Sequence, residues 1–234
     1  MQIFYIPDIV GNSVTLPEDE SKHCIRVLRM AKGDELQLVD GKGSLHHCTI
    51  SDDNAKRCAV SINKTELEFG KRSFKLHIAI APTKNIERIE WFLEKCTEIG
   101  IDEITPILCE HSERKNINEE RLERVMVAAM KQSVKAYLPK LNPLTSIDKL
   151  LQNATESTKL IAYCGDFQNI HAKNLIKTGE STLFLIGPEG DFSPSEVEKA
   201  VSNGFKVVGL GSSRLRTETA GVVACSLANL LNEK

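Results

Sequence analysis

From Phe74 onward, short runs of consecutive apolar residues alternate with stretches whose apolar residues repeat at helical spacing, and this constrains the fold more than any other feature. The runs are "FKLHIAIA", which Pro82 ends, then "EITPILC", "KLIAYC", "TLFLI" and "FKVVGLG". Between them, "IERIEWFLEKCTEIGI" sets Ile86, Ile89, Leu93, Cys96 and Ile99 on one helical face and charges on the other. A long helix is expected from about Asn118 to Ala136 with Leu122, Val125, Met126 and Ala129 facing inward. The helices "SPSEVEKAVSNG" and "AGVVACSLANLLNEK" complete the series. Strands covered on both faces and alternating with amphipathic helices imply a mostly parallel α/β sheet.

The first 67 residues read differently. "IFYI", "ELQLV", "SLHHCTI" and "CAVSI" are separated by the turn-forming "PED", "DGKG" and "SDDN", with one short helix expected around Glu18 to Arg29. This is the pattern of a small β-barrel. The polar stretch Glu66 to Ser73 marks the boundary, giving domains 1–70 and 71–234.

With 41% apolar and 26% charged residues the composition is that of a globular chain. No segment approaches the roughly 18 apolar residues of a membrane span, and the N-terminus lacks a basic flank, so a soluble cytoplasmic protein without membrane association is expected. Seven cysteines, an odd number with no CxxC pair, suit reduced thiols and no metal site. In "HHC", strand alternation turns His47 away from His46 and Cys48, and the segment reads as an exposed strand. The formal net charge of -2 gives nucleic acid no global attraction, so any such contact must come from local patches.

Two turns carry more chemistry than connection requires. In "LFLIGPEGDFSPSEVEKA", Ser193, Pro194 and Glu196 specify a helix start with a capping box. That leaves Gly187, Pro188, Glu189 and Gly190 at the carboxyl end of a strand, where open α/β sheets bind ligands. The glycines admit positive φ and close approach, and the proline stiffens the loop. The strand "FKVVGL" likewise runs into "GSSRLRTETAG", so the two loops are expected to border one pocket. Gly209, Leu210 and Gly211 open like a dinucleotide fingerprint, but the third glycine is missing and there is no GxxxxGK[ST] phosphate loop. Glu189 and Asp191 would repel an anion, and a helix-terminus field of about 0.3–1 kcal/mol does not clearly offset two carboxylates. A neutral or cationic ligand fits better.

"LIGPEGDFSPSEVEKA" and "GLGSSRLRTETA", with "HCIRVLRMAKGDEL" and "EKCTEIGIDEITPILCEHSER", resemble the bacterial 16S ribosomal RNA (uracil-N(3)) methyltransferase family of the SPOUT superfamily over nearly the whole chain. The resemblance implies a PUA-like RNA-binding barrel followed by a SPOUT-type, trefoil-knotted α/β methyltransferase domain that binds S-adenosyl-L-methionine and forms a homodimer. The implied partner is 16S ribosomal RNA in the small ribosomal subunit. The implied cofactor walls are Tyr163, Cys164 and Gly165; then Ile186, Gly187, Pro188, Glu189 and Gly190; then Leu210 and Gly211 with Leu215, Arg216, Thr217, Thr219 and Ala220. This chain differs from the family pattern in having Asp191 where a glycine is expected, Ile3 where arginine or histidine is frequent, and Lys131 and Lys135 where glutamate and arginine are common.

Methyl transfer to a uracil nitrogen needs alignment and a means of handling the N(3) proton. Arg216 is a candidate to stabilise the anionic ring, or else to pair with Glu218 and order the loop. Glu189 is a candidate to take the proton or face a sulfonium, or else to cap backbone amides. Cys96 and Cys225 read as core residues. For RNA, His23, Arg26 and Arg29 stand at helical spacing beside Lys22 and Lys32, and Arg114, Lys115, Lys131 and Lys135 offer a second patch. Competing readings are a non-catalytic RNA-binding assembly factor and a ribose 2'-O-methyltransferase acting on transfer or ribosomal RNA.

Overall fold

A computed structural model describes residues 2–165 and 170–233, which divide into two compact units. The first comprises the described residues up to Lys71 together with Val127–Leu138. Its strands are β1 (Ile3–Tyr5), β2 (Ser13–Thr15), β3 (Glu35–Val39), β4 (Leu45–Asp52) and β5 (Ala59–Glu66), in the order β1-β3-β4-β5-β2. Only β1 and β3 pair in parallel. Phe4 from one edge and Val14 from the other share a core with Leu36, Leu38, Ile50 and Val60, so the sheet curls around its own inward face. The two-residue period that puts Leu36 and Leu38 inward also buries His46 and Cys48. The "HHC" strand is therefore not an exposed one: His46 Nδ1 lies 2.9 Å from Thr65 Oγ1, and only His47 is partly open, 2.8 Å from Glu66.

The helix expected over Glu18 to Arg29 is shorter and changes type. Helix α1 (Glu18–Lys22) passes into a π-helical turn at His23–Val27, where Leu28 N–H bonds to the His23 carbonyl, and Arg29 then takes a left-handed φ of 58°. Strand β2 has only three residues behind a Gly-Asn turn, too few to show a period.

Val127–Leu138, which the sequence reading assigns to the second domain, packs in the first unit because Met130 and Ala136 bury against Val39 and Leu45. Gly43 N–H bonds to Ala136 O at 3.0 Å, and Leu138 N–H to Gly41 O at 2.9 Å. Here the long helix, α3 (Glu119–Gln132), stops four residues short of Ala136. Lys135 N–H donates to Met130 O and Val134 N–H to Lys131 O, the paired bonds of a Schellman stop. Val134 occupies its left-handed position at φ 56°, where a β-branched side chain is strained.

The second unit, Arg72–Met126 and the described residues from Pro139 on, holds β6 (Leu76–Ile80), α2 (Ile86–Ile99), β7 (Glu103–Leu108), the first part of α3, β8 (Lys140–Leu141) and β9 (Thr145–Ser146). It continues with α4 (Ile147–Asn153), β10 (Thr158–Ala162), β11 (Ile170–His171), β12 (Thr182–Ile186), α5 (Pro194–Ser202), β13 (Lys206–Gly209) and α6 (Thr217–Leu230). The parallel sheet runs β11-β13-β10-β12-β6-β7-β8. Residues of β6 and β12 are buried without exception, as strands covered on both faces should be. Helix α4 was not anticipated, although Ser146, whose side chain accepts from Lys149 N–H, is a cap visible in the sequence.

Strand β12 inserts between β6 and β10, while β13 lies beyond β10. Helix α6 leaves β13 and packs back on α2, β6 and β12. Gly221 permits that return, since a Cβ there would come within 2.5 Å of the Phe92 ring and 3.2 Å of Ile80. Cys96 and Cys225 are fully buried, with Cys225 Sγ donating to the Gly100 carbonyl at 3.5 Å. The helix ends at Leu230, and Lys234, the end of the expected segment, lies outside the described residues.

Gly221→Ala should lower the unfolding free energy by about 1–3 kcal/mol through overpacking, read by denaturant titration. Val134→Gly should act oppositely: relief of the left-handed strain, about 1–2 kcal/mol, exceeds the entropy cost of glycine, about 0.4–1 kcal/mol.

Candidate active site

The parallel registers bring three strand ends to one level. Ala162 of β10 pairs with Ile186 of β12 on one side and with Val208 of β13 on the other. The row continues through Ile80 of β6 to Pro106 of β7. Tyr163–Gly165, Gly187–Gly190 and Leu210–Arg216 all leave this row at the carboxyl edge, where unpaired backbone groups and converging loops make binding sites. The three expected walls therefore start side by side.

The turn after β12 uses its glycines for space, not for positive φ. A Cβ on Gly187 would stand 3.1 Å from the Phe192 ring, and one on Gly190 would stand 3.1 Å from His111 Cβ. The left-handed residue is Asp191, at φ 62°. Its Oδ1 accepts from Phe192 N–H at 2.8 Å and its Oδ2 from Cys164 N–H at 3.0 Å. His111 Nδ1 lies 3.0 Å from Asp191 O and 3.2 Å from Gly190 O, so that nitrogen carries the proton. Of the third wall, Gly211 does adopt a positive φ of 136°, and a Cβ there would meet open space.

Glu189 is exposed, and its Oε1 accepts from Lys84 N–H at 3.0 Å in the loop after β6. It thus has the amide-capping role, with its second carboxylate oxygen outside that bond. Arg114 is committed to the same loop, donating to Thr83 O at 3.0 Å and Lys84 O at 2.7 Å. Buried Glu196 closes the capping box with Ser193 and also accepts from Glu110 N–H at 2.8 Å, tying the loop after β7 to α5.

Arg216 precedes the first turn of α6 and is exposed, and among the described residues it makes no ion pair. The alternative pairing with Glu218 does not form. Glu218 is 7% exposed and its Oε2 has no hydrogen-bond partner among the described residues. Thr217 is buried, while Leu215, Thr219 and Ala220 are partly so.

The Cys164 thiol is pushed above its ordinary pKa by burial and by the Asp191 carboxylate, against the opposing pull of Arg214. One residue from each wall thus influences the same point.

The RNA candidates separate by environment. Arg26 and Arg29 are exposed and make no ion pair among the described residues, but the π turn and the left-handed Arg29 displace them from the single helical face expected. Lys22 pairs with Glu18 at 2.7 Å, and His23 lies 3.8 Å from Glu20. Lys131 is tied to Glu20 at 2.6 Å with its ammonium 5.6 Å from the Phe4 ring centroid, while Lys135 belongs to the Schellman turn. A depression of about 260 Å³ beside α4 and α5 is a separate feature, and its Lys199 and Asp148 pair with each other at 3.0 Å.

A parallel sheet with loops converging on its carboxyl edge, in a chain that also carries a small β unit, has the frame of an α/β ligand-binding protein. Residues 70–229 match the family model described as an RNA methyltransferase domain, and residues 16–63 match the RNA methyltransferase PUA domain. The chain belongs to the RNA methyltransferase family, with a PUA domain before a parallel α/β methyltransferase domain. It is 26% identical to Ribosomal RNA small subunit methyltransferase E of Aquifex aeolicus over 97% of this chain and 98% of that protein. It is similar to the crystal structure of a probable rRNA-methyltransferase from Porphyromonas gingivalis, with TM-score 0.94, 46% identity, and 99% and 98% of the two chains covered. A Ribosomal RNA small subunit methyltransferase E from Neisseria gonorrhoeae, solved bound to S-adenosyl methionine, aligns with TM-score 0.88 and 25% identity over 99% of this chain and 98% of that one.

Of the seven cysteines only Cys164 is exposed. Iodoacetamide should modify it ahead of the other six in the folded protein. Because its pKa is raised, less thiolate is present at about pH 7.5 than in a free cysteine and the reaction should be slower, accelerating as pH climbs; peptide mass spectrometry reads both effects.

Proposed function

We propose that this chain transfers a methyl group from S-adenosyl-L-methionine to N(3) of a uridine in 16S ribosomal RNA of the small subunit, in the cytoplasm and as a homodimer. The observation that carries the reading is the level alignment of three loops at adjacent strand ends in a member of the RNA methyltransferase family. The residues fit a cationic methyl donor. Glu189 borders the second loop with one carboxylate oxygen outside its bond to Lys84, and Glu218 holds a buried carboxylate oxygen without a donor among the described residues. Such an oxygen is costly unless a donor or positive charge completes it.

When bound, S-adenosylmethionine supplies an electrophilic methyl on a sulfonium, open to in-line displacement. The three loops hold and orient reactants, a contribution of about 7–11 kcal/mol when alignment is good. As the N(3) proton leaves the uridine, negative charge spreads over N(3) and the ring, and the N(3) lone pair would then form the N–C bond as the methyl–sulfur bond breaks and a neutral thioether departs. The Arg216 guanidinium, exposed and without an ion pair among the described residues, is available to stabilise that charge. The Glu189 oxygen not bound to Lys84 accepts the proton.

Arg26 and Arg29 contact phosphates from the first unit, and Lys22 and His23 join them only on leaving Glu18 and Glu20. Lys131 and Lys135 contribute only on exchanging their present contacts. Arg114 acts indirectly, by holding the loop after β6. Helix α6 presents Leu230, 65% exposed, and this apolar end serves the subunit interface. No helix among the described residues is long and apolar enough to cross a membrane, and the described residues contain no group of three or more His, Cys, Asp or Glu side chains placed to hold a metal ion.

Arg216→Ala should reduce kcat by about 10²–10³-fold, the usual range for losing one donor to a developing anion, while calorimetry shows donor affinity within about twofold of wild type. Unchanged turnover removes Arg216 from the reaction. Undiminished N(3)-methyluridine in ribosomal RNA from a deletion strain removes the function itself.

A further inference from the structure

The turn after β12 contains a residue whose conformation and bonding are not explained by the turn alone. Left-handed backbone is costly for residues with a side chain, and glycine adopts it freely. Asp191 holds it at φ 62°, next to a glycine that does not. Both oxygens of the carboxylate are engaged, Oδ1 with its neighbour's amide and Oδ2 with the amide of Cys164 in the adjacent loop. Regular pairing between β10 and β12 ends at Ala162 and Ile186. Beyond that row the Asp191–Cys164 bond ties the two walls together. His111 braces the same residue through its carbonyl.

We propose that Asp191 is a positioning residue: its carboxylate latches the Tyr163–Gly165 wall to the Gly187–Gly190 wall and thereby sets the cleft for the methyl donor. This rests on the function proposed above. The latch is a charge-assisted bond to a backbone amide, stronger than its neutral counterpart. A cleft held in its binding geometry before the ligand arrives loses less freedom on binding, which raises affinity without a new ligand contact. Asp191 acts on the donor through Cys164 and takes no part in the chemical step.

The test compares wild type, Asp191→Gly and Asp191→Asn. Glycine accepts the left-handed backbone and removes the latch; asparagine tolerates that backbone and retains one carbonyl acceptor. Asp191→Gly should raise the Kd and KM for S-adenosylmethionine about tenfold while kcat at saturating donor changes less than about twofold. The thermal midpoint should not fall, and asparagine should recover part of the affinity. In the ligand-free protein, amide hydrogen exchange across Tyr163–Gly165 should quicken in the glycine variant. A glycine variant that binds the donor as tightly as wild type overturns the positioning role, and unchanged exchange overturns the latch. If glycine prevents folding, asparagine carries the comparison: donor affinity and exchange both equal to wild type overturn the proposal. Wild-type protein that fails to bind S-adenosylmethionine overturns the methyltransferase reading instead, and the exchange experiment still decides the latch.

Discussion

The site depends on the register that brings Val208, Ala162 and Ile186 into one row across three parallel strands. Register in a parallel sheet buried on both faces is strongly specified, because a slip of one residue exchanges the side chains of its two covered faces. Loops leaving a common level can meet at short reach. The helix that follows the third loop must then return across the sheet, and Gly221 against Phe92 is where the backbone comes close enough for it to do so.

Once the strands end, backbone amides and carbonyls lose their ladder partners and need others. This edge supplies them with side chains. Glu189 takes the Lys84 amide, Glu196 takes those of Glu110 and Ser193, Asp191 takes those of Cys164 and Phe192, and Arg114 donates to two carbonyls. Several residues that resemble catalytic groups in sequence are therefore bound up in holding loops. Among the described residues Arg216 and Glu218 differ: the first is exposed without an ion pair, and the second buries an oxygen without a donor.

The strand–helix alternation after Phe74 was legible because buried parallel strands and amphipathic helices leave distinct periods. "TLFLI" coincides with β12 and the capping box at Ser193 and Glu196 is formed. Short elements escaped because two or three residues contain no period, as in β2, β8 and β9. The association of Val127–Leu138 with the first unit is a long-range packing event, decided by Met130 and Ala136 meeting Val39 and Leu45. Within the site, the presence of glycines was readable but their use was not. Gly187 and Gly190 make room for Phe192 and His111, while the left-handed position falls on Asp191. Residue type alone does not reveal which neighbour crowds a backbone.

The charge pattern sorts the basic residues by the same logic. A chain with formal net charge -2 cannot draw a polyanion by its overall field, so local, unpaired cations must supply the attraction. Lysines 22 and 131 already face glutamates, and using them on RNA requires breaking those contacts. Arg26 and Arg29 require no such exchange. Arginine also offers a planar fork suited to phosphate oxygens, which lysine does not. Arg57 and Arg214 are likewise exposed without an ion pair among the described residues. Because counterion release scales with the number of phosphates neutralised, the position of such arginines on each unit, more than the net charge, decides where a polyanion is held.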